Sequence, residues 1–196
     1  MLLRFLFYCF LFSSATSCQS LARLFVDAPM GDVDDVLFSN KLWDALEKEG
    51  VVGADSISGP FFISAAPPHG WISDRFYGTL TIDGRRSQFL VKKNYAEEKI
   101  PIKQVENDRQ RYLHSIAVMF QREPGYDPDN QNWFWAKYKN EKGTLATTNN
   151  FLAKVPIAGR VEKGKSVGCI YCHSSAGGSD YVFYPDFEPK TKNYSK

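Results

Sequence analysis

Histidine, methionine and cysteine are scarce in this sequence: its 196 residues include three histidines, three methionines and four cysteines. Charge is nearly balanced, with 24 Lys and Arg against 22 Asp and Glu, so there is no electrostatic case for binding nucleic acid or an anionic membrane surface. The sequence has no internal repeat, and its long apolar run at the N-terminus is too short for a membrane-spanning helix. These features are typical of one globular domain of ordinary size.

The N-terminal segment predicts export. Residues 1–17 contain a single charge, Arg4, then an apolar run and a cluster of small residues that fits a signal-peptidase site. The same residues also resemble a lipoprotein signal ending at Cys18, whose acylation would anchor the protein to a membrane. Lipoprotein signals prefer Leu where Ala15 stands, which favours plain secretion. We therefore expect a periplasmic protein, with lipid attachment at Cys18 as the alternative.

Removal of the signal makes the remaining cysteines informative. Cys9 leaves with the signal, and the folded part retains only Cys169 and Cys172, which His173 follows directly. Two thiols three residues apart lie on one face of a helical turn, where they can add to the two vinyl groups of a haem. The imidazole of the next residue can then reach the iron. The C-x-x-C-H spacing therefore predicts one covalent haem c, with His173 as the iron ligand.

Two other uses of this motif stay open. Exported proteins normally pair their cysteines, so a disulfide between Cys169 and Cys172 is the simplest alternative. A zinc site would need a fourth ligand, which only His69 or His114 can supply as a histidine. We favour haem because the spacing gives both cysteines and the histidine of the motif a role, two as thioether bonds and one as the iron ligand.

The position of the motif in the sequence bears on whether the iron has a sixth ligand. Only 23 residues follow His173 in the 196-residue chain, and none is Met or His. Upstream candidates for a sixth ligand are Met30, Met119, His69 and His114. Ordinary structural roles suit each of them, so we expect a five-coordinate iron with one face open to a small ligand. Plain electron transfer, with Met119 as sixth ligand, is the alternative.

Hydrophobic patterning predicts an α+β fold: an antiparallel, β-sheet-rich single domain with an N-terminal helix and a short C-terminal haem-binding helix. We expect a signal at 1–17, a helical segment at 18–54 and a haem domain at 55–196. The predicted elements are a helix at 32–49, a hairpin turning at Asp83-Gly84, strands at 113–121 and 133–138, and a helix from after Gly164 to Ser174.

Several of these segments together resemble one family. They are residues 90–95, 117–120, 125–128, 132–138, 169–173 and 179–183. In order and spacing this series resembles the cytochrome P-460 family, which includes the c′-beta cytochromes. The resemblance covers roughly residues 55–187.

The resemblance implies a β-rich, commonly homodimeric protein with c-type haem. Cys169 and Cys172 match the family's thioether residues, and His173 matches its axial ligand. Enzymatic members oxidise hydroxylamine with a haem that is also cross-linked to a lysine. The c′-beta members lack this cross-link and bind nitric oxide behind an apolar pocket.

Lys92 is our candidate for the cross-link, with Lys93 as the neighbouring alternative. Both lie in the strand that resembles the family's lysine-bearing region, although solvated strand lysines explain them equally well. If Lys92 is cross-linked, the resemblance implies oxidation of hydroxylamine or nitric oxide, with electrons passed to a soluble cytochrome. Without the cross-link it implies nitric oxide binding and no enzymatic activity.

Overall fold

One long helix precedes a run of antiparallel strands, and a short helix carries the cysteine motif. The computed structural model describes residues 30–64, 69–149, 153–177 and 180–183, so the predicted signal, Cys9 and Cys18 lie outside the described residues. The helices within those ranges are α1 (Val33–Lys48), α2 (Ile102–Asn107), α3 (Arg109–Tyr112) and α4 (Cys169–His173), with a 3-10 helix at Pro128–Asn130. The strands are β1 (Phe62–Ile63), β2 (Ile72–Ile82), β3 (Arg85–Tyr95), β4 (Leu113–Gln121), β5 (Trp133–Tyr138), β6 (Thr147–Asn149), β7 (Lys154–Pro156) and β8 (Ala158–Gly159).

Helix α1 begins and ends where the sequence predicts. The Asp32 carboxylate accepts a hydrogen bond of 2.7 Å from the Asp35 N–H, which satisfies a donor that the first turn leaves unpaired. Gly50, with a φ of 70°, follows the helix in the left-handed conformation that commonly ends one.

The hydrophobic pattern of the sequence predicts one apolar face for α1, and the observed buried face differs from it in part. The predicted face consists of Val33, Val36, Leu37, Leu42, Trp43 and Leu46. Leu42, Trp43 and Leu46 are buried as predicted, but Val33 and Leu37 are 74% and 55% exposed, so the prediction is wrong at these two positions. The helix instead buries two polar residues of its first half, Asp35 and Ser39. The hydrophobic pattern alone therefore predicted the wrong buried residues in the first half of α1.

Sheet topology follows the chain through its first five strands. The order is β1-β2-β3-β4-β5-β8, and every neighbouring pair is antiparallel. Asp83 and Gly84 join β2 to β3 with φ values of 50° and 79°, the left-handed pair that a two-residue hairpin requires. This confirms the predicted hairpin, and β4 and β5 have the predicted bounds.

An apolar cluster lies on each face of the six-stranded sheet. The first packs the sheet against α1 and includes Phe76, Val91, Val118 and Phe134. The second lies on the opposite face, because successive strand residues alternate between faces. It includes Met30, Met119, Trp133, Trp135, Val161, Ile170 of α4 and Val182. Helix α4 therefore packs on the face that α1 leaves uncovered.

The shortest elements were not predicted. Helices α2 and α3 contain six and four residues, and strands β6, β7 and β8 contain three, three and two. None is long enough to show a full hydrophobic period. Helix α4 is also shorter than predicted, since it comprises only Cys169–His173.

The described residues confirm the predicted fold class, a mixed α+β single domain. It has a six-stranded antiparallel sheet, a second sheet of β6 and β7, the N-terminal helix α1 and the short C-terminal helix α4. No helix in the described part of the chain is both long enough and apolar enough to cross a membrane.

Truncation of α1 tests this packing. We predict that Leu46→Ala lowers the free energy of unfolding by about 2–5 kcal/mol, because Leu46 is 0% exposed. Leu37→Ala, in the same helix, should change it by less than about 0.5 kcal/mol. Urea unfolding followed by circular dichroism measures both, and equal losses would contradict the orientation of α1.

Candidate functional site

The cysteine motif forms helix α4, and the residue before it must be glycine. Gly168 has a φ of 94°, and a Cβ there would lie 2.4 Å from the Cβ of Glu162. Both thiols are free, with Cys169 half-buried and Cys172 exposed. Burial raises the pKa of the Cys169 thiol to about 11, so this thiol is neutral at pH 7. The two sulphurs that the motif assigns to haem are therefore unpaired and lie in one short helix.

The imidazole of His173 has a defined orientation. Its Nδ1 lies 2.7 Å from the carbonyl oxygen of Tyr181, which can only accept a hydrogen bond. Nδ1 therefore carries the proton and Nε2 keeps its lone pair, as in metal-binding histidines that donate their other N–H to a backbone carbonyl. Burial lowers the pKa of His173, which favours the neutral form that binds metals.

The turn that presents the Tyr181 carbonyl is held on several sides. Tyr181 has a φ of 65°, an unfavourable backbone conformation for a residue with a Cβ. Its hydroxyl donates to Asn130 Oδ1 at 2.9 Å, and Trp133 Nε1 donates to the Asp180 carbonyl oxygen at 3.1 Å. The Asp180 carboxylate accepts the Val182 N–H at 3.0 Å, so Asp180 caps its own turn and not helix α4.

The sheet face under α4 offers an apolar surface. Leu90, Met119 and Trp135 are cross-strand neighbours there, and the ring centroids of Trp135 and His173 lie 4.9 Å apart. Trp135 Nε1 is buried and has no hydrogen-bond partner among the described residues. Since an unpaired buried donor costs about 1–3 kcal/mol, this atom suits a bound group that supplies an acceptor.

Trp133, Phe134 and Trp135 divide between the two faces of the sheet. Phe134 packs in the cluster under α1, whereas the two tryptophans pack in the cluster that includes α4. Alternating aromatic residues in a strand predict core packing, with lining of a haem pocket as the alternative. Trp135 packs in its cluster and also lies beside the His173 ring.

A row of basic residues crosses the same sheet face. Arg75, Lys92 and Lys137 share one cross-strand row with Ala117 between the two lysines. Burial lowers the pKa of His69 and that of His173; the charges of all three cations lower the pKa of His69 further, and the charge of Lys92 also lowers that of His173. Positive charge beside an apolar surface suits a flat macrocycle with carboxylate substituents. Motif reading missed Arg75 and Lys137, and only the strand register reveals them.

Lys92 and Lys93 point to opposite faces of β3. Lys92 lies on the face with Trp135, and its Nζ donates to Ser64 Oγ at 2.8 Å. Lys93 is 2% exposed, and its Nζ donates to Ser56 Oγ at 2.6 Å and to the Ile57 carbonyl at 2.9 Å. Of the two lysines, only Lys92 shares a sheet face with α4.

The four predicted candidates for a sixth ligand occupy different places. Met30 and Met119 pack in the cluster that includes α4. His114 is partly exposed, and its Nδ1 lies 3.2 Å from Glu97 Oε1. His69 has a ring centroid 6.2 Å from that of His173.

Close backbone packing fixes the chain next to His69. The Trp71 N–H donates to the Ala96 carbonyl at 2.7 Å, and a Cβ on Gly70 would lie 2.6 Å from the Tyr95 carbonyl oxygen. Burial and the charge of Lys92 lower the pKa of His69 to about 3, so its imidazole is neutral at pH 7. The sequence predicted an ordinary structural role for His69, and the structure adds its proximity to His173.

The described residues fit a covalently bound haem. They provide two unpaired thiols, an imidazole whose Nε2 is available, an apolar sheet face, a row of cations and the unpaired Trp135 donor. Within the ranges that the structure describes, no group of three or more Cys, His, Asp or Glu side chains could hold a metal ion, as a zinc site would require.

Comparisons with protein-family models, with curated proteins and with solved structures find no match for this chain. The resemblance to cytochrome P-460 therefore rests on the motifs alone.

Mutation of Tyr181 tests whether its turn holds the imidazole of His173 in place. Tyr181→Phe removes the hydroxyl that holds the turn to Asn130 and should weaken the bond from His173 Nδ1–H to the carbonyl. The imidazole then becomes a poorer electron donor, so the reduction potential of the haem-loaded protein should rise. Tyr171→Phe, at an exposed position of α4, is the control. Identical potentials for both variants and the wild type in spectroelectrochemical titrations would contradict this role.

Proposed function

We propose that this protein is an exported c-type haem protein that oxidises hydroxylamine or nitric oxide. The observation that carries the proposal is the hydrogen bond from His173 Nδ1 to the Tyr181 carbonyl, which leaves the Nε2 lone pair for a metal, in the same short helix as two free thiols. The predicted signal at 1–17 agrees with it, because cytochromes of this kind mature in an exported, oxidising setting. A periplasmic location and a homodimer belong to the same proposal.

The chain's own residues have distinct tasks in this proposal. Cys169 and Cys172 anchor the haem through thioethers, and His173 binds its iron. Arg75 and Lys137 balance the charge of the propionates. When bound, haem would supply an iron able to bind the small nitrogen compound and to pass the electrons of its oxidation to a soluble cytochrome.

Lys92 distinguishes the enzyme from a simple nitric oxide binder. Its position on the α4 side of β3 supports the cross-linked, enzymatic alternative, since the side chain of Lys93 is buried on the opposite face. One observation favours the second candidate, nitric oxide binding without oxidation. The Lys92 ammonium donates to Ser64 Oγ at 2.8 Å, an interaction that an uncross-linked lysine keeps.

Haem attachment is tested by staining a denaturing gel for haem. The wild-type protein, made in cells that mature c-type cytochromes, should retain haem after denaturation because thioether bonds survive it. The double variant Cys169→Ser, Cys172→Ser should lose the stain. Cys18→Ser is the matched control and should keep it. A colourless wild-type band would remove the basis of the proposal.

The role of Lys92 is tested by the optical spectrum of the reduced protein. A cross-link should give a strongly red-shifted, broadened Soret band, which Lys92→Met should convert to an ordinary c-haem band. Lys137→Met, in the same cross-strand row, should leave the band unchanged. An ordinary band in the wild type would support nitric oxide binding over oxidation.

A further inference from the structure

Three rings surround the imidazole of His173 in the described structure. Trp135 and Phe183 have centroids 4.9 and 5.3 Å from that of His173, and His69 lies at 6.2 Å. Indole and phenyl rings offer no lone pair to iron. Among these neighbours, His69 alone has a nitrogen that can bind it.

The separation of the two imidazoles suits a metal between them. A histidine nitrogen binds metals at about 2 Å, which puts the ring centroid roughly 3 Å from the metal. Two imidazoles on opposite sides of one metal therefore have centroids roughly 6 Å apart, and the observed separation is 6.2 Å. The ring planes meet at 83°, an angle that axial ligation permits because each imidazole need only stand upright on the porphyrin.

The local chain supports the same placement. Gly70 packs against the backbone at Tyr95 and Ala96, so the residue before it cannot move far from the end of β3. No hydrogen bond joins the His69 ring to another described residue, so its nitrogens are not engaged there. The buried ring also lies near the positive charges of Lys92, of Lys137 and of Arg75, and the last two are the cations assigned above to the haem carboxylates.

The other candidates are placed less well for this task. His114 is already paired with Glu97, and the sheet register places it outside the rows of Lys92 and Trp135. Met119 is 4% exposed and packs in the middle of a strand between Leu90 and Trp135, which explains it as a core residue.

We infer that His69 binds the iron opposite His173 in the resting protein. The inference rests on the haem attachment proposed above and replaces the open iron face expected from the sequence. A small nitrogen compound then binds by displacing one neutral imidazole, with no change in the electron count. The need to displace His69 lowers the apparent affinity of the protein for that ligand, because only molecules whose iron is free of His69 can bind it.

The test compares full-length, haem-loaded variants by electron paramagnetic resonance of the ferric state. The wild type should be low-spin and six-coordinate, and His69→Ala should be high-spin. Free imidazole added to His69→Ala should restore the low-spin signal, which a merely structural role of His69 would not produce. His114→Ala and Met119→Leu should both stay low-spin.

Nitric oxide titration of the ferric proteins gives a second readout. His69→Ala should bind nitric oxide about tenfold more tightly or better, because an imidazole bound in more than about nine-tenths of molecules lowers the apparent affinity by that factor. His114→Ala should match the wild type.

Three results would overturn the inference. A haem-bearing wild type that is already high-spin removes it but leaves haem attachment standing. A low-spin wild type that Met119→Leu, and not His69→Ala, converts to high spin gives the position to Met119. A protein without haem overturns both the inference and the proposed function.

Discussion

The hydrogen bond between His173 Nδ1 and the Tyr181 carbonyl is the constraint on which the rest of the site depends. It decides which imidazole nitrogen is available, and it ties helix α4 to the turn that follows it. The chain accepts an unfavourable φ at Tyr181 to make this bond, and Asn130, Trp133 and Asp180 hold the turn in place. A backbone acceptor suits this task because it cannot itself titrate or act as a donor.

The two faces of the six-stranded sheet have different roles. One face packs against α1 through aliphatic and aromatic side chains, and the other carries the residues near α4. Alternation along β3 therefore gives Lys92 and Lys93 different environments although they are adjacent in sequence. The same alternation puts Trp135 beside His173 while its neighbour Phe134 stays in the main core.

Local patterns predicted the long elements well. The cap at Asp32, the Asp83-Gly84 turn and the alternating residues of β4 and β5 each depend on chemistry within a few residues. The C-x-x-C-H motif likewise needs no distant partner to be recognised. Two predictions on α1 were wrong because the strands that the helix packs against, and not its own hydrophobic pattern, decide which of its residues are buried. Asp35 is buried there, whereas Val33 and Leu37 are exposed.

The rest of the site depends on contacts between distant segments. The ring of His69 approaches that of His173 across about a hundred residues of chain, and Tyr181 reaches Asn130 across fifty-one. The hydrophobic pattern within one segment cannot indicate a contact with a distant segment. The family resemblance predicted the lysine-bearing strand, but the strand register was needed to separate Lys92 from Lys93 and to add Arg75 and Lys137.

Intact-mass spectrometry in denaturing solvent tests the central claim most directly. Protein purified from cells that mature c-type cytochromes should have the mass of the processed polypeptide plus one haem, because the thioethers at Cys169 and Cys172 survive denaturation. A mass equal to that of the polypeptide alone, with two free thiols or one disulfide, would contradict the account.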